Sequence, residues 1–182
     1  QRNNMKNLII LISALFSFST YGAEVDLQKS KFSWKGTKVT GKHVGLVKLK
    51  SATLNEEKGI LKSGNLEIDL KTISVSDLEG EWKQKLEGHL KSKDFFNIAE
   101  FPIAKLNIIE IKNGKLIGNL TIKGKTNAVK VPFKKSGKAY IGKLKFDRTK
   151  FDMIYNSGNF FKDLGDKMIH NDVEIDFNLV VK

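Results

Sequence analysis

Hydrophobic and polar residues alternate along most of this chain. Over residues 39–49 the odd positions Val39, Gly41, His43, Gly45, Val47 and Leu49 share one face, with Lys38, Thr40, Lys42, Lys48 and Lys50 on the other. Val44 and Leu46 break that polarity, so this strand is expected to be covered in part on both faces. Gly64, Leu66, Ile68 and Leu70 then oppose Asn65, Glu67, Asp69 and Lys71. Ala104/Leu106/Ile108, Leu116/Gly118/Leu120/Ile122, Val129/Val131/Phe133 and Leu144/Phe146 repeat the pattern. Its cleanest instance is Val173, Ile175, Phe177, Leu179 and Val181 against Glu174, Asp176 and Asn178. A period of two marks strands with one buried and one wet face. An opening strand near 31–35 brings the total to about eight.

Turn chemistry separates the strands. Lys58-Gly59, Asn113-Gly114, Gly124 and Ser136-Gly137 punctuate the runs, and Asn-Gly between alternating segments is a strong hairpin signal. Short strands joined by hairpins predict an antiparallel sheet, and closing it into a barrel removes its free edges. One segment departs from the period. In 76–90, Leu78, Trp82, Leu86 and Leu90 recur at helical spacing, and Ser76 with Glu79 fits a capping box. An amphipathic helix across or beside a barrel opening is predicted. Residues 156–171 are too polar and Gly-containing for a strand and read as a loop or short helix at the rim. The expected fold is therefore all-β: an eight-stranded antiparallel barrel with one short amphipathic helix.

The N-terminus changes the picture. Met5-Lys6 opens a basic start, Leu8–Phe18 is apolar apart from Ser13 and Ser17, and small residues follow to Ala23. This reads as a secretory signal over 5–23, with a barrel domain over 24–182. Gln1–Asn4 precede the expected start and are read as non-native. The apolar run is shorter than the roughly 20 residues that span a bilayer; a retained anchor helix is the alternative. Tyr21 suits a cut after Ala23 poorly, so the cleaved bond stays open. The expected location is periplasmic. The chain of 182 residues has no Cys, so disulfides do not hold it together.

The formal charge is +12, falling to +10 once Arg2 and Lys6 leave with the signal. Such a surface suits nucleic acid, anionic membrane or an acidic ligand. Export disfavours nucleic acid. Lysines on the wet faces of strands explain the charge without any partner.

Several stretches resemble the YceI-like family, a lipocalin-like group of exported isoprenoid-binding proteins. They are Trp34-Lys35-Gly36-Thr37-Lys38-Val39-Thr40-Gly41-Lys42-His43, then 85–96 (KLEGHLKSKDFF), Glu100-Phe101-Pro102-Ile103-Ala104 and 118–124 (GNLTIKG). Phe146-Asp147-Arg148-Thr149, Tyr155-Asn156-Ser157-Gly158 and Leu164-Gly165-Asp166 complete the series. Each is weak alone; their order and spacing are specific. The resemblance implies a barrel with an apolar cavity, a bound polyisoprenoid or other long-chain lipid, and no catalytic residues. Asn97-Ile98-Ala99 departs from the acidic residue that usually follows the two Phe.

The motifs do not state which side chains meet the lipid, so side-chain physics selects them. From the early strands come Trp34, His43, Val47, Leu66 and Ile68, and from the helix and its exit Leu90, Phe95, Phe96 and Phe101. The later strands and loop supply Leu120, Leu144, Phe146, Phe151, Tyr155 and Phe160. Adjacent Phe95 and Phe96 face opposite ways in extended chain, as a gate or as a core plug. Twelve Phe exceed what a small core needs, and Gly41, Gly45, Gly118 and Gly142 on inward positions make room for a ligand.

His43, His89 and His170 lie on separate segments without metal-ligand spacing, and His43 reads as a hydrogen-bonded core histidine. Asp147-Arg148 reads as a turn clamp, with a headgroup contact by Arg148 as the alternative. No nucleophile elbow, P-loop or dinucleotide fingerprint is present; neither an enzyme nor a cofactor other than the lipid is expected. Two functions stay open: a carrier of a long-chain lipid, and a stress-related interaction protein using its basic surface transiently on an anionic membrane or a partner. The oligomeric state, monomer or homodimer, is left open.

Overall fold

The computed structural model describes residues 22–182. In chain order the strands are β1 (Gly22–Ala23), β2 (Lys31–Lys38), β3 (Gly41–Glu57), β4 (Ile60–Val75), β5 (Ile103–Lys112), β6 (Lys115–Ile122), β7 (Lys125–Ser136), β8 (Ala139–Asp147) and β9 (Ile169–Val180). One helix, α1 (Gly80–Lys91), joins β4 to β5. Strands β2 to β9 run β3-β2-β9-β8-β7-β6-β5-β4 and close through β4–β3, every pair antiparallel. The eight-stranded barrel expected from the alternation is present. β1 adds a short ninth strand on β3, with Gly22 opposite Asn55 and Ala23 opposite Leu54. The remainder of the expected signal, residues 5–21, lies outside the described residues.

Hairpin chemistry explains the closure. Asn113 and Gly114 both adopt positive φ (51° and 69°) between the paired Lys112 and Lys115. That is the two-residue turn whose twist matches the flanking strands. The β7–β8 ladder is short, pairing only Phe133–Ser136 with Gly142–Ala139. Pro132, which has no N–H, ends it. A 3-10 turn, Arg148–Phe151, follows β8 and packs against β7, and the Asn127 amide donates to the Lys150 carbonyl at 3.1 Å.

Four expectations need correction. Val39 belongs to no strand; it sits in the β2–β3 turn, 49% exposed. The helix starts at Gly80, and its first residue outside, Glu79, makes no side-chain cap. The Ser76/Glu79 capping box is therefore not formed. Glu87 instead reaches back, accepting from the Val75 N–H at 2.9 Å and tying α1 to the end of β4. Trp82, assigned to the apolar face of α1, is 71% exposed, while Leu90 is buried. The inward glycines do not leave empty space. A Cβ on Gly45 would lie 2.6 Å from the Trp34 ring, one on Gly118 2.3 Å from the Asn107 carbonyl oxygen, and one on Gly142 2.5 Å from the Phe177 ring. These glycines let neighbouring strands and rings approach closely, and Gly41, the first residue of β3, is exposed.

Candidate functional site

The inward rows of the strands enclose a cavity of about 210 Å³ along the barrel axis, walled almost wholly by carbon. Leu61, Leu116, Leu179 and Tyr140 form part of its wall. The Tyr140 hydroxyl is turned away into the wall, donating to the Glu56 carboxylate. Burial and that carboxylate raise the phenol well above its ordinary range. Lys135 sits over the Tyr140 ring at 5.0 Å and donates to the Gly59 carbonyl at 2.5 Å.

The polar part of the lining gathers at an irregularity. The β2–β9 register slips between Gly36, opposite Val173, and Lys38, opposite Ile169. Such a bulge takes backbone groups out of the ladder. Arg148, only 2% exposed, projects to this place from the turn after β8. Its Nε donates to the His170 carbonyl at 3.1 Å and its Nη2 to the Ile169 carbonyl at 3.0 Å, while Nη1 donates to the Met153 carbonyl. Burial lowers the guanidinium from its ordinary range, with Asp147 pulling the other way. The Asp147 carboxylate is itself engaged by Thr149, accepting from its N–H at 2.9 Å and its hydroxyl at 2.7 Å.

Around this rim Thr37 Oγ1 meets His170 Nδ1 at 2.8 Å, and His43 Nδ1 meets Asp77 Oδ2 at 2.9 Å. Asp77 also accepts from the Val44 N–H at 3.0 Å. Burial opposes ionisation of Asp77, but the Val44 and His43 bonds outweigh it and hold the carboxyl below its ordinary value. The three histidines are thus separately engaged, His89 with Asp94 at 3.1 Å. Among the described residues no group of three potential metal ligands exists.

The cavity wall carries Trp34, His43, Val47, Leu66, Ile68 and Leu90 from the sequence-derived set. It also carries Phe95, Phe96, Leu120, Leu144 and Phe146. Phe95 and Phe96 are not extended. Their N–H groups turn back to the Ser92 and Leu90 carbonyls, and both rings face the cavity. Four candidates lie outside it. Phe101 packs over the β6–β7 turn at Gly124. Phe151 is buried behind the wall, edge-on to Phe146 at 5.5 Å. Tyr155 stacks edge-on to His89 at 4.6 Å on the outer side of Phe95. Phe160 is 55% exposed in the loop before β9. Aromatic identity selected these four; only the strand rows carry the directional information that reaches the cavity.

Lys38, which the alternation of 39–49 places on the polar face, lines the cavity instead, and Met153, which sequence reasoning passed over, lines it too. The signal for Lys38 was present: Phe32, Trp34, Gly36 and Lys38 form one alternating row of β2. Met153 follows the 3-10 turn and carries no periodic signal.

A family model described as the YceI-like domain matches residues 24–181. The chain belongs to the YceI-like family. Among solved structures it is similar to BcnA of Burkholderia cenocepacia, at 26% identity and a TM-score of 0.69, over 87% of this chain and 100% of that one. A polyisoprenoid binding domain from Saccharophagus degradans, implicated in plant cell wall breakdown, shares 12% identity at a TM-score of 0.61, covering 90% of this chain and 98% of its own. The YCEI protein of Campylobacter jejuni matches at 14% identity and a TM-score of 0.52, over 100% of this chain and 91% of that one. The two lower-identity likenesses concern the fold. No curated protein matches the chain.

Proposed function

We propose that this YceI-like protein binds and carries a long-chain lipid, of the polyisoprenoid or fatty-acyl class, in its barrel cavity, as an exported periplasmic protein that performs no covalent chemistry. The observation that carries this is the cavity with an almost wholly carbon wall, bordered by a polar cluster of Thr37, Lys38, His43, Arg148 and His170. A single-tailed lipid with one polar head matches that asymmetry. The polyisoprenoid-binding relative and the N-terminal pattern of residues 5–23 support the ligand class and the export. Each methylene removed from water contributes about 0.8 kcal/mol, so a long tail overcomes an association cost of about 4–15 kcal/mol.

The test is native mass spectrometry of the protein purified without detergent, followed by solvent extraction. A stoichiometric adduct that extracts as an isoprenoid or fatty-acyl lipid is expected. Leu120→Trp and Leu144→Trp, which push an indole into the cavity, should abolish lipid uptake while leaving the far-ultraviolet circular dichroism unchanged. Normal lipid binding by both folded variants would sink the proposal.

Action through the basic outer surface, on an anionic membrane or partner, has less support. Several outward lysines are already paired: Lys35 with Glu174 at 2.7 Å, Lys143 with Glu174 and Asp176 at 3.1 and 3.2 Å, and Lys145 with Asp172 at 2.8 Å. Exposed pairs of this kind are screened by salt, and so is any membrane attraction they leave.

A further inference from the structure

We infer that the polar part of the cavity lining selects lipids with an anionic headgroup, a phosphate or a carboxylate, over neutral lipids of the same tail. This rests on the lipid-carrier reading above. The observation behind it is a pair of cations without ion-pair partners on the lining of a chamber walled mainly by carbon; Lys105, also on that lining, is paired with Glu67 at 3.3 Å. Arg148 and Lys38 both line the cavity. Among the described residues neither has a carboxylate within ion-pair distance.

The two cations converge on one piece of backbone. Lys38 lies opposite Ile169 in the β2–β9 register, and Arg148 donates to the carbonyls of Ile169 and His170. Lys38 ends the inward row of β2 that begins with Phe32 and Trp34, so its stem continues the cavity wall. The nearby carboxylates are committed elsewhere, Asp77 to His43 and Val44, Asp147 to Thr149.

Arg148 also keeps donors in reserve. A guanidinium has five N–H bonds, and three carbonyls take one each from Nε, Nη1 and Nη2. Those carbonyls fix its position and leave its charge uncompensated. A buried charge is tolerated when it is paired; Asp147 attracts the guanidinium from a distance, but burial outweighs it and no carboxylate forms a direct ion pair with Arg148. The Phe95 ring, 5.9 Å from the guanidinium carbon, gives a weak π contact on one face only. An oxyanion entering tail-first would complete the set with charge-assisted bonds to Arg148 and Lys38. The Thr37 hydroxyl, paired with His170 Nδ1, lies on the same polar lining. A neutral alcohol or quinone head would leave both cations as they are.

The test is a binding comparison of matched pairs, read by displacement of a fluorescent fatty-acid probe from the protein. One pair is geranylgeranyl monophosphate and geranylgeraniol; the other is palmitate and hexadecanol. The anionic member of at least one pair is expected to bind about tenfold or more tighter, the size of one charge-assisted hydrogen bond. Preference confined to the first pair identifies a phosphate head, and preference confined to the second a carboxylate. Lys38→Gln, on the exposed side of the rim, should shrink that preference several-fold and leave the alcohols unchanged. Arg148→Lys serves as the second variant where folding is checked first. Equal affinities within both pairs, or a preference untouched by Lys38→Gln, would overturn the inference and leave the carrier function standing. Failure of all four lipids to displace the probe would overturn both.

Discussion

Replacing Arg148 by Met separates what this side chain does for the fold from what its charge offers a ligand. The substitution keeps an unbranched apolar stem and removes every donor. Three backbone carbonyls, those of Met153, Ile169 and His170, then lose their hydrogen-bond partner. Only the bond to Met153 is buried, those to Ile169 and His170 being part-buried; a buried acceptor left without a donor costs about 1–3 kcal/mol and a part-buried one less. Part of this is offset, because burying the guanidinium was itself unfavourable. The net loss should be about 3–5 kcal/mol, in the range found when one partner of a buried polar cluster is removed. For a domain of this size that lowers the thermal midpoint by roughly 10–15 °C. Urea unfolding followed by circular dichroism reads it as a lower midpoint at unchanged slope. Hydrogen exchange should show the damage localised to the start of β9 and the loop at Met153. A loss below about 1 kcal/mol would mean that water replaces the guanidinium at the bulge, and the structural account of Arg148 would be wrong.

Two further perturbations probe the barrel itself. Gly118→Ala places a methyl group 2.3 Å from the Asn107 carbonyl oxygen on β5, and overpacking of this kind should destabilise by about 1–3 kcal/mol; an unaffected urea midpoint would show that β5 and β6 separate freely there. Glu174 is held down at about 2 by hydrogen bonds from Lys35 and Lys143. A carboxyl whose folded value lies below its unfolded value of about 4.3 contributes stability above that pH and loses it as pH falls toward the folded value. Thermal midpoints measured between pH 6 and pH 2 should therefore fall less steeply for Glu174→Gln than for the wild type, and parallel curves would remove Glu174 from the acid response.

Much of the fold was legible because a strand sends successive side chains to opposite faces. Trp34, Val47, Leu66, Ile68, Leu120, Leu144 and Phe146 were placed on inward rows by that rule alone, and all of them line the cavity. The rule fails where the chain leaves the strand. Tyr155 and Phe160 lie in the stretch between β8 and β9, where no period fixes direction, and composition alone assigned them to the interior. The same failure inverted Trp82. Its spacing matches Leu78, Leu86 and Leu90, yet α1 contacts the barrel through β4 over a narrow stripe, and the start of the helix projects beyond it.

The inward glycines mark a different limit. The sequence says only that a side chain is missing; whether the space is empty depends on what the neighbouring strand brings. At Gly45 it is the Ser74 carbonyl and the Trp34 ring, and at Gly142 the Phe177 ring and the Pro132 carbonyl, so glycine in these rows serves close packing.

By itself the sequence determined the barrel, its hairpins, its single helix and the apolar character of its interior, because these depend on local period and turn chemistry. The tertiary structure decided where the chamber is polar. Lys38, Thr37, Arg148 and His170 come from β2, the turn after β8 and the start of β9, and only the closed ring brings β2 beside β9. The bulge at Gly36–Lys38 arises from the pairing of two strands more than a hundred residues apart. No local pattern encodes it, because a register shift is a property of two strands together.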